Sequence, residues 1–337
     1  MRVVQVGRFG GPEVLTASNK DEPIAGRGEL LVAVRVAGVN RADVLFRSGG
    51  YHRTAALPVV PGLEACGTVV GIGPEVDGFQ VGDDVVAWGA TGAPGFYAER
   101  VAVPAHQVLR LPPDVDPAMA AVLPVAWLSA WYCLHRLARV AAGETVLVLA
   151  AGSGVGTAAV QVALAAGAHV IAATGSADKQ DRLRAMGASH VIDSSGGRTP
   201  NAGPDLAAQV RDLTDGRGAD VVLDLVGGPL FGPALQAAAR AGRVVVMANV
   251  ALAPSTIDTR DFYPRNVSVH GFQITDLLEH GWDPRHDLAT LLKRMQAGQL
   301  QPVIDARFPL QEAVQAHRRL EERSVFGKVV LTVGTTS

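Results

Sequence analysis

The 337-residue chain has only two cysteines, Cys66 and Cys133. They stand far apart and no CxxC occurs, so the sequence encodes neither a disulfide framework nor a cysteine-rich zinc lobe. Charged residues make up 18%, below the roughly 25% usual in globular domains. The net charge of −2 carries no block of Lys or Arg, which leaves no electrostatic footprint for nucleic acid. The start, MRVVQVGRFGGPEVL, lacks a basic head followed by an apolar core. No window is expected to reach the roughly 18 uncharged apolar residues of a membrane span. These absences predict a soluble, cytoplasmic protein with neither nucleic acid nor membrane as partner. What is present is apolar material, 48% of residues, and 38 glycines. That content excludes a disordered chain, and the length suggests about two domains.

The first hundred residues read as short strands separated by Gly, Pro and Asp: LLVAVRVAGV (30–39), ACGTVVGIG (65–73), DDVVAWG (83–89) and AERVAVP (98–104). Residues 117–139 change to helical spacing, with an interruption expected at Pro124. From Glu144 the pattern alternates. Strands are expected at 145–150, 169–174, 190–193, 219–227, 243–249 and 266–272. Helices are expected at 157–167, 178–187, near 204–214 and at 229–242. Such alternation predicts a doubly wound parallel sheet of the mononucleotide-binding type. The tail supplies a helix at 287–298, a short strand QPVI, a helix over 310–322 and a closing strand KVVLTV.

The strongest local signal follows the run TVLVLA, where Gly152, Ser153, Gly154, Val155 and Gly156 lead into a helix. Small residues let the backbone approach a pyrophosphate, whose charge is stabilised by free N–H groups and the positive end of the helix dipole. In the GxGxxG register, Ala151 and Ser153 replace the first two glycines. Binders of NADH usually carry Asp or Glu at the end of the second strand, to accept from the ribose 2′-hydroxyl. Here that segment reads Thr174, Gly175, Ser176, with Lys179 following. A carboxylate would repel a 2′-phosphate, whereas Ser176 and Lys179 can donate to one. NADPH is therefore the expected cofactor, although Asp178 stands close by.

Seven segments in order carry a family resemblance: GVNRADVLFRSGGY (38–51), PGLEACGTVVGIGPEV (61–76), GFYAERVAVPA (95–105), LPVAWLSAWYCL (123–134), AAGSGVGTAAVQ, VVLDLVGG (221–228) and FGKVVLTV (326–333). The chain resembles the medium-chain dehydrogenases/reductases, and among them the zinc-independent quinone oxidoreductases of the zeta-crystallin type. The resemblance implies an α/β fold with a Rossmann domain plus a GroES-like β-barrel catalytic domain, and an active site in the cleft between them. The catalytic domain would comprise residues 1–123 and 274–337, the NADPH-binding domain 124–273. Where zinc-dependent relatives have a cysteine and a histidine, this sequence has Asn40 and Leu63. An amide is a poor zinc ligand and an alkyl side chain is none, so no metal is expected. Without a Lewis acid to stabilise an alkoxide, reduction of an electron-poor acceptor is favoured over alcohol oxidation. The expected substrate is a quinone, with an enone or enoyl thioester as the alternative. A second alternative is an NADPH-binding crystallin-like protein without important turnover.

The resemblance places Asn40 beside the nicotinamide, to position cofactor or substrate, and Ser129 against the carboxamide. Tyr51 is a further substrate-side candidate, grouped with His52 and Tyr97. Asn249 and Phe272 end strands on the ligand side of the sheet, and Arg323 aligns with a phosphate-binding arginine. Asp43 and Glu64 read as structural hydrogen-bonding residues, and His135 and His317 as background. A homodimer is expected, with the edge strand NVSVHGF (266–272) as its interface.

Overall fold

The computed structural model describes residues 1–53, 55–90, 95–194, 205–250, 252–322 and 324–334. The chain divides into two compact units, Met1–Leu128 with Ile274–Ser337, and Ser129–Gln273.

The first unit opens with an antiparallel hairpin, β1 (Arg2–Val6) and β2 (Leu15–Asn19). The long strand β3 (Glu29–Val39) buries Leu30, Val32 and Val34 at alternate positions, the period of a pleated strand with one face on a core. It runs directly into α1 (Arg41–Ser48), which ends at Gly49 in the left-handed region at φ +80°. Then come β4 (Glu64–Ile72), β5 (Asp84–Trp88), β6 (Arg100–Pro104) and β7 (Val108–Arg110).

The helical stretch α2 (Pro117–Leu137) is interrupted next to Pro124, as expected: its first turn ends at Ala120, Val122 leaves helical geometry (φ −105°, ψ 1°), and Pro124 stands in the first turn of the stretch that follows, where a missing N–H costs no bond. Within it, Leu123–Trp127 and Tyr132–Leu137 widen to π pitch. Its mean hydropathy of 1.5 over an 18-residue window also makes it long and apolar enough to cross a membrane by length and composition. However, 78% of that window is buried inside the protein.

In the second unit β8 (Thr145–Val148), α3 (Gly154–Ala165), β9 (His169–Thr174), α4 (Gln180–Ala185) and β10 (His190–Asp193) form the first half. The second half is α5 (Leu206–Asp212), β11 (Ala219–Asp224), α6 (Phe231–Ala237), β12 (Ala238–Val246) and β13 (Ser268–Gly271). The strands form one parallel sheet in the order β10-β9-β8-β11-β12-β13. That is the 3-2-1-4-5-6 order of a Rossmann fold, in which the order reverses beside the first strand. The helix expected at 229–242 stops at Ala237. Pairing of Ala238 with Ala219 and the left-handed Ala241 (φ +58°) prevail over the helix propensity of the alanines.

The returning segment adds α7 (Ile274–Glu279), α8 (Arg285–Gln296), β14 (Ile304–Pro309), α9 (Ala313–Glu321) and β15 (Lys328–Thr332) to the first unit. The strand expected at QPVI begins only at Ile304, after Pro302, which has no N–H for a ladder. The sheet runs β14-β15-β3-β4-β5-β7, with β6 also paired to β3. Antiparallel pairing of Val329 with Val39 sets Lys328, the first residue of β15, beside the junction of β3 and α1. Sequence-distant residues are thereby brought to Asn40.

Candidate active site

Asn40 is the hinge residue between β3 and α1, extended at φ −119° and only 7% exposed. Its backbone N–H donates to Asp43 Oδ2 at 2.8 Å, one half of a capping box. Its side chain is spent differently. Nδ2 donates to Glu64 Oε1 at 3.0 Å, and Oδ1 accepts from Lys328 Nζ at 2.5 Å. Lys328 Nζ also donates to Glu64 Oε1 at 2.8 Å, while Glu64 Oε2 accepts from the Val125 backbone N–H at 2.7 Å. Glu64 is fully buried and Lys328 is 4% exposed. The pair persists there because each charge has a partner and the remaining oxygen is satisfied. Room for the carboxylate comes from Gly38, where a Cβ would lie 2.3 Å from Glu64 Oε1.

Beside this triad lies a shallow recess lined by Ala42, Asp43, Phe46, Tyr51, Val59, Val60, Pro61, Gly62 and Leu63. Tyr51 thus stands on a recess wall, with its ring 4.3 Å from that of His52. Leu63 is buried. Tyr97 is a correction: it is fully buried rather than at a substrate mouth. Its hydroxyl lies 3.0 Å from His317 Nε2 and is hydrogen-bonded to the Asp43 carboxyl. His317, read as background, is therefore part of a buried polar cluster that also holds Arg47, whose Nη2 donates to Glu321 at 2.8 Å.

Two members of this cluster have opposed titrations. Burial pushes the Asp43 carboxyl up to about 7, against the Asn40 N–H and the Lys328 charge, which favour its ionised form. Burial, with Arg47 and Arg41 adding to it, pushes His317 down to about 3. Folded Asp43 holds its proton between about 4 and 7, so the stability this gives is complete at low pH and lost as pH rises through 7. Folded His317 is neutral between about 3 and 6.5, so its contribution is present above 6.5 and lost as pH falls toward 3. Between about pH 4 and 6.5 the two slopes cancel, each bounded by about 1.4 kcal/mol per pH unit. His317→Gln, which keeps a partner for Tyr97, is expected to gain stability relative to the parent as pH is lowered from 7 to 4. Asp43→Asn is expected to lose it. Urea unfolding across that range reads both, and parallel profiles for all three proteins would contradict the assignment.

The second unit holds the phosphate turn. After β8 the backbone passes through the left-handed Ala150 (φ +48°), and Ser153 caps α3, its Oγ accepting from the Gly156 N–H at 3.0 Å. Ser153 therefore serves as the cap residue at the position of the second fingerprint glycine. A Cβ on Gly156 would stand 2.4 Å from Ala150 O and 2.6 Å from Ala151 O. This is the close helix–strand approach that requires glycine in dinucleotide folds. Gly152 is buried, while Gly154 and Val155 are half-buried in the first turn of α3. Gly175, Ser176 and Lys179 follow the end of β9, the strand paired with β8.

Ser129 is buried in α2. Phe272 is buried too, with its ring 5.5 Å from that of Tyr132. The Asn249 amide donates to Ala253 O at 2.8 Å, closing its own loop. Arg323 lies outside the described residues. Both cysteines are free and buried, burial pushing the Cys66 thiol up to about 12 and the Cys133 thiol higher still.

Residues 26–113 match the alcohol dehydrogenase GroES-like domain and residues 154–297 the zinc-binding dehydrogenase domain. The quinone oxidoreductase of Lama guanicoe is 32% identical over 334 residues, 98% of this chain and 97% of that protein. The chain belongs to the zinc-independent quinone oxidoreductase family of medium-chain dehydrogenases/reductases. Two solved structures are similar to this family member over nearly its whole length. A mycobacterial protein complexed with NADPH is 33% identical, covering 98% of this chain and all of that one, with TM-score 0.88. An NAD-dependent alcohol dehydrogenase is 34% identical, covering 99% of this chain and all of that one, with TM-score 0.86. The family's GroES-like and Rossmann domains correspond to the antiparallel and parallel sheets described above.

Among the described residues, no three or more His, Cys, Asp and Glu come together as a metal could require. At position 40 this chain offers an amide shared between Lys328 and Glu64, and at position 63 a buried alkyl chain.

Proposed function

We propose that this protein is an NADPH-dependent quinone oxidoreductase that works without a metal. The observation that carries the reading is the state of Asn40: the position of a zinc thiolate in relatives is a neutral amide, fixed by a buried carboxylate and ammonium. Such a group can hydrogen-bond a carbonyl but cannot stabilise a full alkoxide as a Lewis acid does. A quinone needs no more, being electrophilic already.

The dinucleotide fits the second unit by the cradle at Gly156 and the capped start of α3. Gly152, Ser153, Gly154, Val155 and Gly156 would hold its pyrophosphate, with Ser129, Asn249, Phe272 and Arg323 as the family's further contacts. When bound, NADPH supplies a hydride, and with one proton from solvent the quinone becomes a hydroquinone. In the first unit, Asn40 would donate to the acceptor carbonyl, and Tyr51, Val59 and Val60 would give the recess an apolar wall for a ring. The protein is proposed to act in the cytoplasm as a homodimer, for which the edge strand β13, with Val269 43% exposed, is the candidate interface.

Ser176 and Lys179 are assigned to the 2′-phosphate. Their double replacement by alanine is expected to raise KM for NADPH by at least about tenfold, since each removes a hydrogen bond to a charged phosphate, and to leave KM for NADH nearly unchanged. Equal effects on both cofactors would remove them from that role.

The test of the function is NADPH consumption over a panel of quinones, enones and 2-enoyl thioesters. The highest kcat/KM is expected on quinones. A far higher value on enones or thioesters would reassign the protein as a double-bond reductase. Undetectable turnover despite thermal protection by NADPH would make it a binding protein.

A further inference from the structure

We infer that Lys328 is a positioning residue that fixes the polarity of the Asn40 amide, so that its second N–H is held ready for a hydrogen-bond acceptor. The inference rests on the quinone reductase reading and adds to it a residue from the far end of the chain. The two ends of an asparagine amide look alike, and here chemistry alone distinguishes them. Lys328 Nζ has only donors and lies 2.5 Å from one end; Glu64 has only acceptors and lies 3.0 Å from the other. Flipping the amide would set its NH2 against an ammonium and its oxygen against a carboxylate. Glu64 cannot turn away, because its other oxygen is bound to the Val125 N–H and Gly38 leaves it a fixed slot. Lys328 cannot withdraw either, being 4% exposed on β15, whose pairing with β3 sets it beside Asn40.

Of the four hydrogen bonds that the amide can make, one N–H goes to Glu64 and one lone pair to Lys328. The ammonium draws density toward Oδ1 and so makes the remaining N–H a stronger donor. A carbonyl accepts from such a group. The ion pair thus supplies orientation to a neutral residue that would otherwise rotate between two nearly equivalent states.

The test separates positioning from folding. Lys328→Met alone strands the Glu64 carboxylate, so the informative protein is Glu64→Gln/Lys328→Met, which buries no unpaired charge: with the new glutamine's oxygen kept on the Val125 N–H its NH2 faces Asn40, and the parental amide orientation is no longer enforced. With NADPH and 1,4-benzoquinone, its kcat is expected to fall by about tenfold or more, the worth of one oriented donor. KM for NADPH should stay within about threefold, and Tm close to the parent. Lys328→Arg, which keeps a donor-only cation, is expected to recover part of kcat. Parental kcat in the double variant would overturn the inference, and failure of the parent itself to reduce any quinone would overturn the function reading instead.

In that second case the amide still decides. The chain has five asparagines, so asparagine-selective 15N labelling, with Asn40→Ala for assignment, isolates the side-chain NH2 signals. Two slowly exchanging protons with distinct shifts in the parent, and shifted, faster-exchanging ones in the double variant, support the fixed polarity. Identical signals in both overturn it.

Discussion

Gly156→Ala is expected to abolish useful NADPH binding, raising Kd by about a hundredfold, the 2.7 kcal/mol that overpacking and a displaced turn would remove. The added carbon would meet Ala150 O at 2.4 Å, Ala151 O at 2.6 Å and Ala151 C at 2.7 Å. All three are backbone atoms, so no side chain can swing aside. Ala150 is already in the left-handed region and Ala151 N is bonded to Ala173 O at 3.0 Å, which leaves the turn little freedom to move. Either α3 lifts from the sheet or the carbonyls turn, and both displace the N–H groups that face a phosphate. Fluorescence titration with NADPH measures the effect. Affinity within about threefold of the parent would show that this turn does not carry the cofactor.

Glu64→Leu is expected to destabilise the first unit by about 3–5 kcal/mol, because it leaves the Lys328 ammonium buried without its counter-charge. For a unit of this size that corresponds to a loss of roughly 10 °C in Tm. The double variant Glu64→Leu/Lys328→Leu is expected to regain most of the loss, since a buried ion pair replaced by apolar residues is often close to neutral in stability. It should not regain turnover, because Asn40 would have lost both partners. Differential scanning calorimetry of the two variants reads this. A single variant as stable as the parent would mean that the pair is hydrated rather than buried.

The extent to which the sequence revealed this protein depended on whether a feature was local. The phosphate turn was legible because strand, small residues and helix are contiguous, although α3 starts inside the glycine run, at Gly154, rather than after it. The parallel sheet was legible from alternation, and its strand order follows the rules of right-handed crossover. Helix and strand ends were missed where pairing overrode propensity, as at Ala238, or where a proline set the boundary, as at Pro302.

The triad was invisible for a different reason. Asn40, Glu64 and Lys328 are separated by 24 and 264 residues along the chain, and only the pairing of β15 with β3 joins them. Nothing within the motif FGKVVLTV singles out Lys328. His317 reads as background until Tyr97 is found 3.0 Å away. Glycine content gained meaning in the same way: Gly38 is explained by the Glu64 carboxylate and Gly156 by two carbonyls, neither of which is adjacent in sequence.

The chemistry proposed at Asn40 needs no metal. This is tested most directly by measuring kcat/KM for NADPH-dependent reduction of 1,4-benzoquinone before and after exhaustive dialysis against a strong zinc chelator, with bound metal quantified in the same samples. Unchanged activity and less than about 0.1 equivalent of metal are expected, since neither an engaged amide nor a leucine is a zinc ligand. Loss of activity on chelation, with recovery on adding stoichiometric zinc, would contradict it.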